Sequence, residues 1–401
     1  MPAMTTTGLP DVIYLDHNAT TPIAPEVLDA MLPYLTQQYA NPSSDHLLGH
    51  RAHKAVEESR EQVASLIGAA PDEIVFTSGG TESNNLAVRG CAAVAGPDRR
   101  RIVTSLVEHP AISRPCEYLE TQGWTVTRLP VTGGGTIDLE SLTQALDTDV
   151  ALMTVMLAQN ETGAIMPVAA AAPAARWLGI ITHTDAAQAI GKIQVDVDVL
   201  GVDLLSIAGH KCYAPKGVGA LYVRRGTPLR PLLLGGVQER GLRPGTESVA
   251  CIVGLAAACH LAQARLDTEG QRLHGLRDAL WQRLRGAIPG LVRHTPEVNS
   301  LPNTLNVSFP GVLGRDVLST AQRVAASTGS ACHSGLHTPS AVLLAMGVAP
   351  DIALGAVRLS LGHDNTAADV ATAADVLVEA FRSTLTGTPE VNGDTWRPDR
   401  D

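Results

Sequence analysis

Lysine is scarce in this chain: its 401 residues include only Lys54, Lys192, Lys211 and Lys216. Chemistry that needs a lysine amine, above all Schiff-base formation with a carbonyl compound, therefore has four candidates. Lys211 ends the segment Ser206-Ile207-Ala208-Gly209-His210-Lys211, directly after an apolar run. It thus falls where an α/β sheet presents its reactive groups. Taken alone, a lysine there is ordinarily a solvated loop residue, and its neighbours alter the reading. Asp185, in His183-Thr184-Asp185-Ala186-Ala187-Gln188, ends the preceding run. A carboxylate at that edge either pairs with a pyridinium nitrogen through a charge-assisted hydrogen bond or caps the next helix. Thr77-Ser78-Gly79-Gly80-Thr81-Glu82-Ser83-Asn84-Asn85 reads as strand, glycines, hydroxyls, helix. Backbone N–H groups and the helix dipole make such a turn a phosphate seat, with Gly80 permitting close approach. It fits neither the dinucleotide fingerprint nor the P-loop pattern, and as a lone turn it is a structural connection. His109 (in Val-Glu-His-Pro) and Asn160 (in Gln-Asn-Glu-Thr-Gly) close two more apolar runs. Singly each is a turn or cap residue; together on one rim these groups suit an aromatic phosphate cofactor.

The elements that must hold them lie between residue 72 and about 225, where short β-type runs alternate with helical stretches. The runs are Glu73–Ser78, Arg101–Val107, Trp124–Val131, Val150–Leu157, Gly179–Asp185, Asp203–Ala208 and Val218–Arg224. Several are nearly continuous in apolar residues, as strands covered on both faces are. Helical candidates between them include Ser83–Val94, Ile112–Thr121 and Ile137–Leu146, and Asp45–Gly68 precedes them. After a glycine-rich loop, Leu232–Glu247, the stretch Ser248–Arg285 reads as helix. A smaller mixed unit follows: strand Thr304–Phe309, helix Arg315–Arg323, strand Val324–Ser327, helix Ser340–Gly347, strand Val357–Leu361 and helix Thr366–Leu385. The pattern predicts an α/β protein in two domains. Residues 20–265 form a large domain with a mostly parallel seven-stranded sheet. Residues 1–19 and 266–386 form a smaller α+β domain, and the polar tail 387–401 is expected to be disordered.

Composition excludes several function classes. A net charge of −10 argues against a sequence-independent grip on nucleic acid, so the Arg99-Arg100-Arg101 run reads as a solvated turn. The longest apolar stretch, Val249–Ala262, is short of the roughly 18 residues a membrane span needs. The N-terminus carries neither a basic nor an apolar signal region, which predicts a cytoplasmic protein. The six cysteines show no disulfide spacing and no CxxC pair, so most are expected to be reduced and buried. His46, His50 and His53 share one helix face without a completing ligand, and they read as a solvated face rather than a metal site. Gly133-Gly134-Gly135 reads as a connecting loop.

From Tyr14-Leu15-Asp16-His17-Asn18-Ala19-Thr20-Thr21-Pro22 to Val357-Arg358-Leu359-Ser360-Leu361-Gly362, the chain resembles the pyridoxal-phosphate-dependent cysteine desulfurases of the class V aminotransferase group, fold type I. Stretches around Met156–Gly163, His183–Gln188, Arg243–Glu247 and Ala331-Cys332-His333-Ser334 are also similar to the selenocysteine lyase branch. The resemblance implies that Lys211 holds the cofactor covalently and moves the substrate Cα proton. It implies that Asp185 pairs with the pyridine nitrogen, that Gln188 and Asn160 approach the ring hydroxyl, and that His109 stacks on the ring. Gly80, Thr81 and His210 would hold the phosphate, with Thr246 supplied by a partner subunit of a homodimer. Arg358, assisted by Asn41 and Asn160, would take the substrate carboxylate. Cys332, bracketed by Gly329 and Gly335, would be the nucleophile that accepts sulfur as a persulfide, with His333 beside it to favour the thiolate. L-cysteine is the implied substrate and L-selenocysteine the alternative; an acceptor protein of unspecified identity would take the product. A class V aminotransferase is a third reading, but it leaves Cys332 idle. The chain departs from the family at Ala208, where many desulfurases carry a hydroxyl, at Gln159, which replaces an asparagine, and in its acidic tail.

Overall fold

The computed structural model describes residues 12–328 and 338–387. The chain opens with β1 (Ile13–Tyr14), α1 (Pro25–Thr36) and α2 (Leu47–Leu66). Alternation then sets in with β2 (Ile74–Thr77), α3 (Gly80–Ala92), β3 (Arg101–Ser105), α4 (Pro110–Thr121) and β4 (Thr125–Leu129). It continues through α5 (Leu139–Gln144), β5 (Val150–Thr154), α6 (Val168–Trp177), β6 (Ile181–Asp185), α7 (Val197–Leu200), β7 (Leu204–Ala208) and β8 (Gly219–Val223). Strands β2 to β8 form one seven-stranded sheet in the order β2-β8-β7-β6-β5-β3-β4. Only β8 runs against its neighbours, antiparallel to both β2 and β7. Strands β2, β5, β7 and β8 are buried at every position, which explains why their sequences are apolar without alternation.

The second unit contains α8 (Val249–Ala287), β9 (Val292–Arg293), β10 (Thr304–Ser308), α9 (Gly314–Thr320) and β11 (Val324–Ala325). It ends with α10 (Ala341–Ala345), α11 (Pro350–Leu354), β12 (Ala356–Ser360) and α12 (Ala367–Gly387). Its sheet has the order β12-β10-β9, and β1 pairs in parallel with β11. One apolar cluster holds most of this unit, drawing Ile13 and Leu15 from the chain start together with residues between Leu273 and Phe381, while Val342, Leu343 and Ala353 of α10 and α11 pack into the large-sheet cluster. Helix α8 crosses from one core to the other. Ile252, Leu255 and Cys259 lie in the large cluster, and Leu273, Leu280 and Leu284 in the small one. Its 39 residues span about 58 Å at the standard helical rise.

Three differences from the sequence reading have physical causes. Helix α1 carries Pro33 in its interior, a residue that ordinarily argues against helix. Helix α3 begins at Gly80, ahead of Ser83, because Gly79 at φ +144° turns the chain straight from strand into helix. Helix α8 is long and apolar enough to cross a membrane by length and composition, beyond what its longest apolar run suggested. Its apolar side chains instead pack into the two cores. Cys91, Cys116, Cys212 and Cys259 are buried and free, and Cys251 is half-buried. His46 caps α2 by accepting the Gly49 N–H at 3.1 Å, and His50 lies 3.2 Å from Asp45.

Candidate active site

The carboxyl ends of β2, β5, β6 and β7 open on a cavity of about 740 Å³. Asp185 is the last residue of β6, and its backbone is in register with Ser206 of the neighbouring β7. Lys211 follows β7 on the short turn Gly209–Lys211. Both side chains line the cavity, with Gly80, Thr81, His109, Asn160, Gln188, His210 and Arg358. These nine sequence-predicted residues are thus brought together by those strand ends, the start of α4 after β3, α3 and β12.

Asp185 is buried, and each of its oxygens is held. The Ala187 N–H donates to Oδ1 at 2.9 Å and Asn84 Nδ2 donates to Oδ2 at 2.6 Å. Two donors fix the carboxylate and leave lone pairs for a cationic N–H from the cavity. Lys211 Nζ donates to the carbonyls of Asn18 at 2.6 Å and Ala19 at 2.8 Å. Burial, with the Arg358 guanidinium adding to it, lowers its pKa to about 8, against the pull of Asp185 and Asp16. An enclosed amine of that kind is a nucleophile near neutral pH. The Ala111 N–H donates to His109 Nδ1 at 3.1 Å, so a neutral imidazole carries its proton on Nε2. Burial and Lys211 lower the His109 pKa, while Asp185 opposes them. His210 Nδ1 lies 3.1 Å from Thr20 Oγ1, and burial pushes its pKa down to about 4.

Arg358, in β12, closes the other side. Its Nη2 donates to Asp16 Oδ1 at 2.7 Å and its Nη1 to the Asn160 carbonyl at 3.2 Å. Its buried Nε has no partner among the described residues, an unusual state for a charged donor. Ser327 Oγ donates to Asp16 Oδ2 at 2.8 Å, so Asp16 ties Arg358 to the residues leading into 329–337. Beside Asn160, Glu161 accepts Ser340 Oγ at 2.6 Å, and burial raises its pKa to about 7. Beneath His109, Glu108 accepts the Ser105 hydroxyl at 2.5 Å and the Met156 N–H, with burial raising its pKa to about 8.

Asn41 and Thr246 are exposed and do not line the cavity of their own chain. Cys332, Gly329, His333 and Gly335 lie outside the described residues. Sequence reasoning missed Asn18, Asn84, Asp16 and Lys192 as supports, and Lys216 as a cavity-lining residue. Two of these were visible: Lys192 and Lys216 belong to the four lysines of the chain. The main contribution of Asn18 is a backbone carbonyl, for which no side-chain type gives a signal.

Pyridoxal phosphate fits these residues. The cavity holds an amine for its aldehyde, a fixed carboxylate for its ring nitrogen and an imidazole beside them. At the phosphate end, a Cβ on Gly80 would stand 3.1 Å from the Ala208 Cβ, so α3 lies as close to β7 as two carbons allow. That places the start of a 13-residue helix at the rim, where its N–H groups and dipole favour an anion. Arg358 Nε, without a partner among the described residues, suits an acceptor of the substrate carboxylate kind.

The family description "Aminotransferase class-V" matches residues 13–372. A cysteine desulfurase of Trichormus azollae is 47% identical over 370 residues, covering 92% of each chain. The cysteine desulfurase IscS of Dictyoglomus turgidum is 45% identical, over 94% of this chain and 96% of that one. Among solved structures, a NifS-like protein superposes with a TM-score of 0.87 at 37% identity, over 93% of this chain and 100% of its own.

Proposed function

Because the chain belongs to the class-V aminotransferase family, we propose that it is a pyridoxal-phosphate-dependent cysteine desulfurase. It converts L-cysteine to L-alanine and leaves the sulfur on Cys332. One observation carries the reading furthest: Lys211 and Asp185, at the ends of adjacent strands, open on one cavity with Arg358 across it. The cofactor, when bound, supplies an electron-withdrawing ring that acidifies the substrate Cα–H and weakens the Cβ–S bond. Asp185, held by Asn84 and the Ala187 N–H, is the residue that would keep the ring nitrogen protonated. Lys211 would hold the cofactor and carry the Cα proton on Nζ. Arg358 would orient the substrate through its carboxylate, with Asp16 fixing the guanidinium plane. His109 would move a substrate proton at Nε2, the nitrogen left free by the Ala111 N–H.

Sulfur transfer balances without an outside oxidant. The Cys332 thiolate attacks the substrate sulfur, a Cys332 S–S bond forms, the Cβ–S bond breaks, and the carbon fragment takes up a proton to become alanine. The persulfide then awaits an acceptor protein. Two copies of the chain are proposed to form the working unit, with Thr246, exposed on its own protomer, serving the other cavity.

The test is anaerobic alanine production from L-cysteine and from L-selenocysteine, by the wild type and by Cys332→Ala. Substantial cysteine turnover that collapses in the variant supports the persulfide route. Turnover confined to selenocysteine and unaffected by the variant would make the protein a selenocysteine lyase, and alanine from neither substrate would overturn both readings.

A further inference from the structure

Lys192 is a second lysine enclosed beneath the cavity, and the reaction assigns it no task. Its Nζ donates to Gln188 Oε1 at 2.7 Å and to Asn18 Oδ1 at 3.0 Å. Gln188 Nε2 in turn donates to the Asn18 carbonyl at 2.9 Å, the same oxygen that receives Lys211 Nζ at 2.6 Å. Asn18 thus joins the two lysines, with Gln188 bridging from the cavity side. The local chain explains the arrangement. After Asp185 the backbone makes a helical turn, with Ile190 N–H on Ala186 O and Lys192 N–H on Ala189 O, both at 3.0 Å. Gln188 lies on that turn and Lys192 just past its end, and the 2.7 Å bond from Nζ to Oε1 is where their side chains meet. Gly191, between Ile190 and Lys192, ends the helical course at φ +74°, and a Cβ there would come within 3.2 Å of Ala262 Cβ on α8. The turn is thereby packed against α8.

A carboxamide has two chemically opposite ends, and rotation by half a turn exchanges an acceptor for a donor. A lysine amine, charged or neutral, has N–H groups for both Gln188 Oε1 and Asn18 Oδ1. Lys192 therefore holds the Gln188 oxygen away from the cavity. One Gln188 N–H goes to the Asn18 carbonyl, which leaves the amide's second N–H on a residue that lines the cavity. We propose that Lys192 is a positioning residue that locks the Gln188 carboxamide so that it offers an N–H, not a C=O, to the cofactor's ring oxygen. The proposal rests on the pyridoxal phosphate reading of the cavity and assigns it a residue that touches neither cofactor nor substrate. A donor at that oxygen stabilises its anionic form, and a carbonyl in its place would favour the protonated form.

The experiment uses purified apoprotein titrated with pyridoxal phosphate and followed by absorbance, for wild type and Lys192→Met. Methionine keeps the length and removes both donors. The expected result is about a tenfold loss of affinity, together with a fall in visible absorption and a rise in the near-ultraviolet band of the holoprotein. Thermal melting of the apoprotein reports folding separately, and Lys192→Leu, which also lacks any donor, serves in the same measurement if the methionine variant does not fold. Affinity and spectrum within twofold of wild type would overturn the proposal. Weaker affinity with an unchanged spectrum would also overturn it, because that describes a merely structural lysine. Failure of the wild type itself to bind pyridoxal phosphate would instead sink the reading of the cavity.

Discussion

An amine whose pKa is about 8 is mostly protonated at pH 7 and mostly neutral at pH 9, and only the neutral form attacks an aldehyde. Capture of pyridoxal phosphate by the apoprotein is therefore expected to accelerate about tenfold between those pH values. An exposed lysine, with its usual pKa near 10.4, would go on gaining well past pH 9. Stopped-flow absorbance across the pH range separates the two profiles. Arg358 offers a second test. Its Nη groups are held by Asp16 and Asn160 while Nε has no partner among the described residues, so a planar fork is set for a carboxylate. Arg358→Lys keeps the charge and loses the fork, and kcat/KM for L-cysteine is expected to fall about 10- to 100-fold, chiefly through KM. At this scale the sequence was informative where a side chain does chemistry and silent where it only holds another. Lys211, Asp185 and His109 stand out as residue types at strand ends, and Arg358 came only through the family resemblance. Asn84, clamping Asp185 at 2.6 Å, looks like one polar residue among many in a helix's first turn.

Elements show the same division. The seven large-sheet strands are readable to within a few residues; four of them, β2, β5, β7 and β8, are fully buried and leave nearly unbroken apolar runs. Their order is not readable: β8 slots between β2 and β7, pairing with a strand more than 140 residues earlier, and no local pattern encodes such a partner. The glycine-rich loop after β8 is another case. Glu239 and Arg240 adopt left-handed φ values of 47° and 56°, conformations that non-glycine residues avoid. A buried ion pair holds them there. Arg60 of α2 forks onto Glu239 with two bonds of 2.8 Å, and the Phe76 N–H of β2 adds a third. Glu239→Gln would leave the Arg60 charge buried and poorly paired, at a cost of about 3 kcal/mol in unfolding free energy. Urea denaturation measures it. A loss under 1 kcal/mol would mean that the loop relaxes and does not need this anchor. Since Thr246 lies on the same loop, the variant should also load cofactor more weakly if the loop serves a partner's cavity.

For the molecule as a whole, burial of titratable groups sets the pH response. His17, His210 and His294 have pKa values lowered to about 4, and His183 to about 3, in each case chiefly by burial. The unfolded chain binds protons at these sites below about pH 6.5 while the folded chain does not, so stability falls as pH drops from 6.5 toward 4. Glu108 and Glu161, raised to about 8 and 7, act in the opposite sense because the folded protein keeps protons that the unfolded chain has lost. They are outnumbered, and the apoprotein's melting temperature is expected to fall on acidification below pH 6; a flat profile would contradict the burial of these imidazoles. Sedimentation should give twice the 42.0 kDa chain mass if two copies assemble, and a single-chain mass would remove Thr246 from the site. The pairing of β1 with β11 joins Ile13 to Val324, and the Asn18 and Ala19 carbonyls that hold Lys211 lie in that same early segment. On a ribosome adding roughly 5–20 residues per second, the first segment must wait on the order of tens of seconds for its partner strand to be made. The large sheet can close during that interval, but the β11 strand and Arg358 arrive late, with only α12 and the tail still to follow. Translation thus withholds the means of gripping a substrate until nearly the whole chain exists, and a nascent chain stalled before β11 would carry its lysine without its substrate clamp.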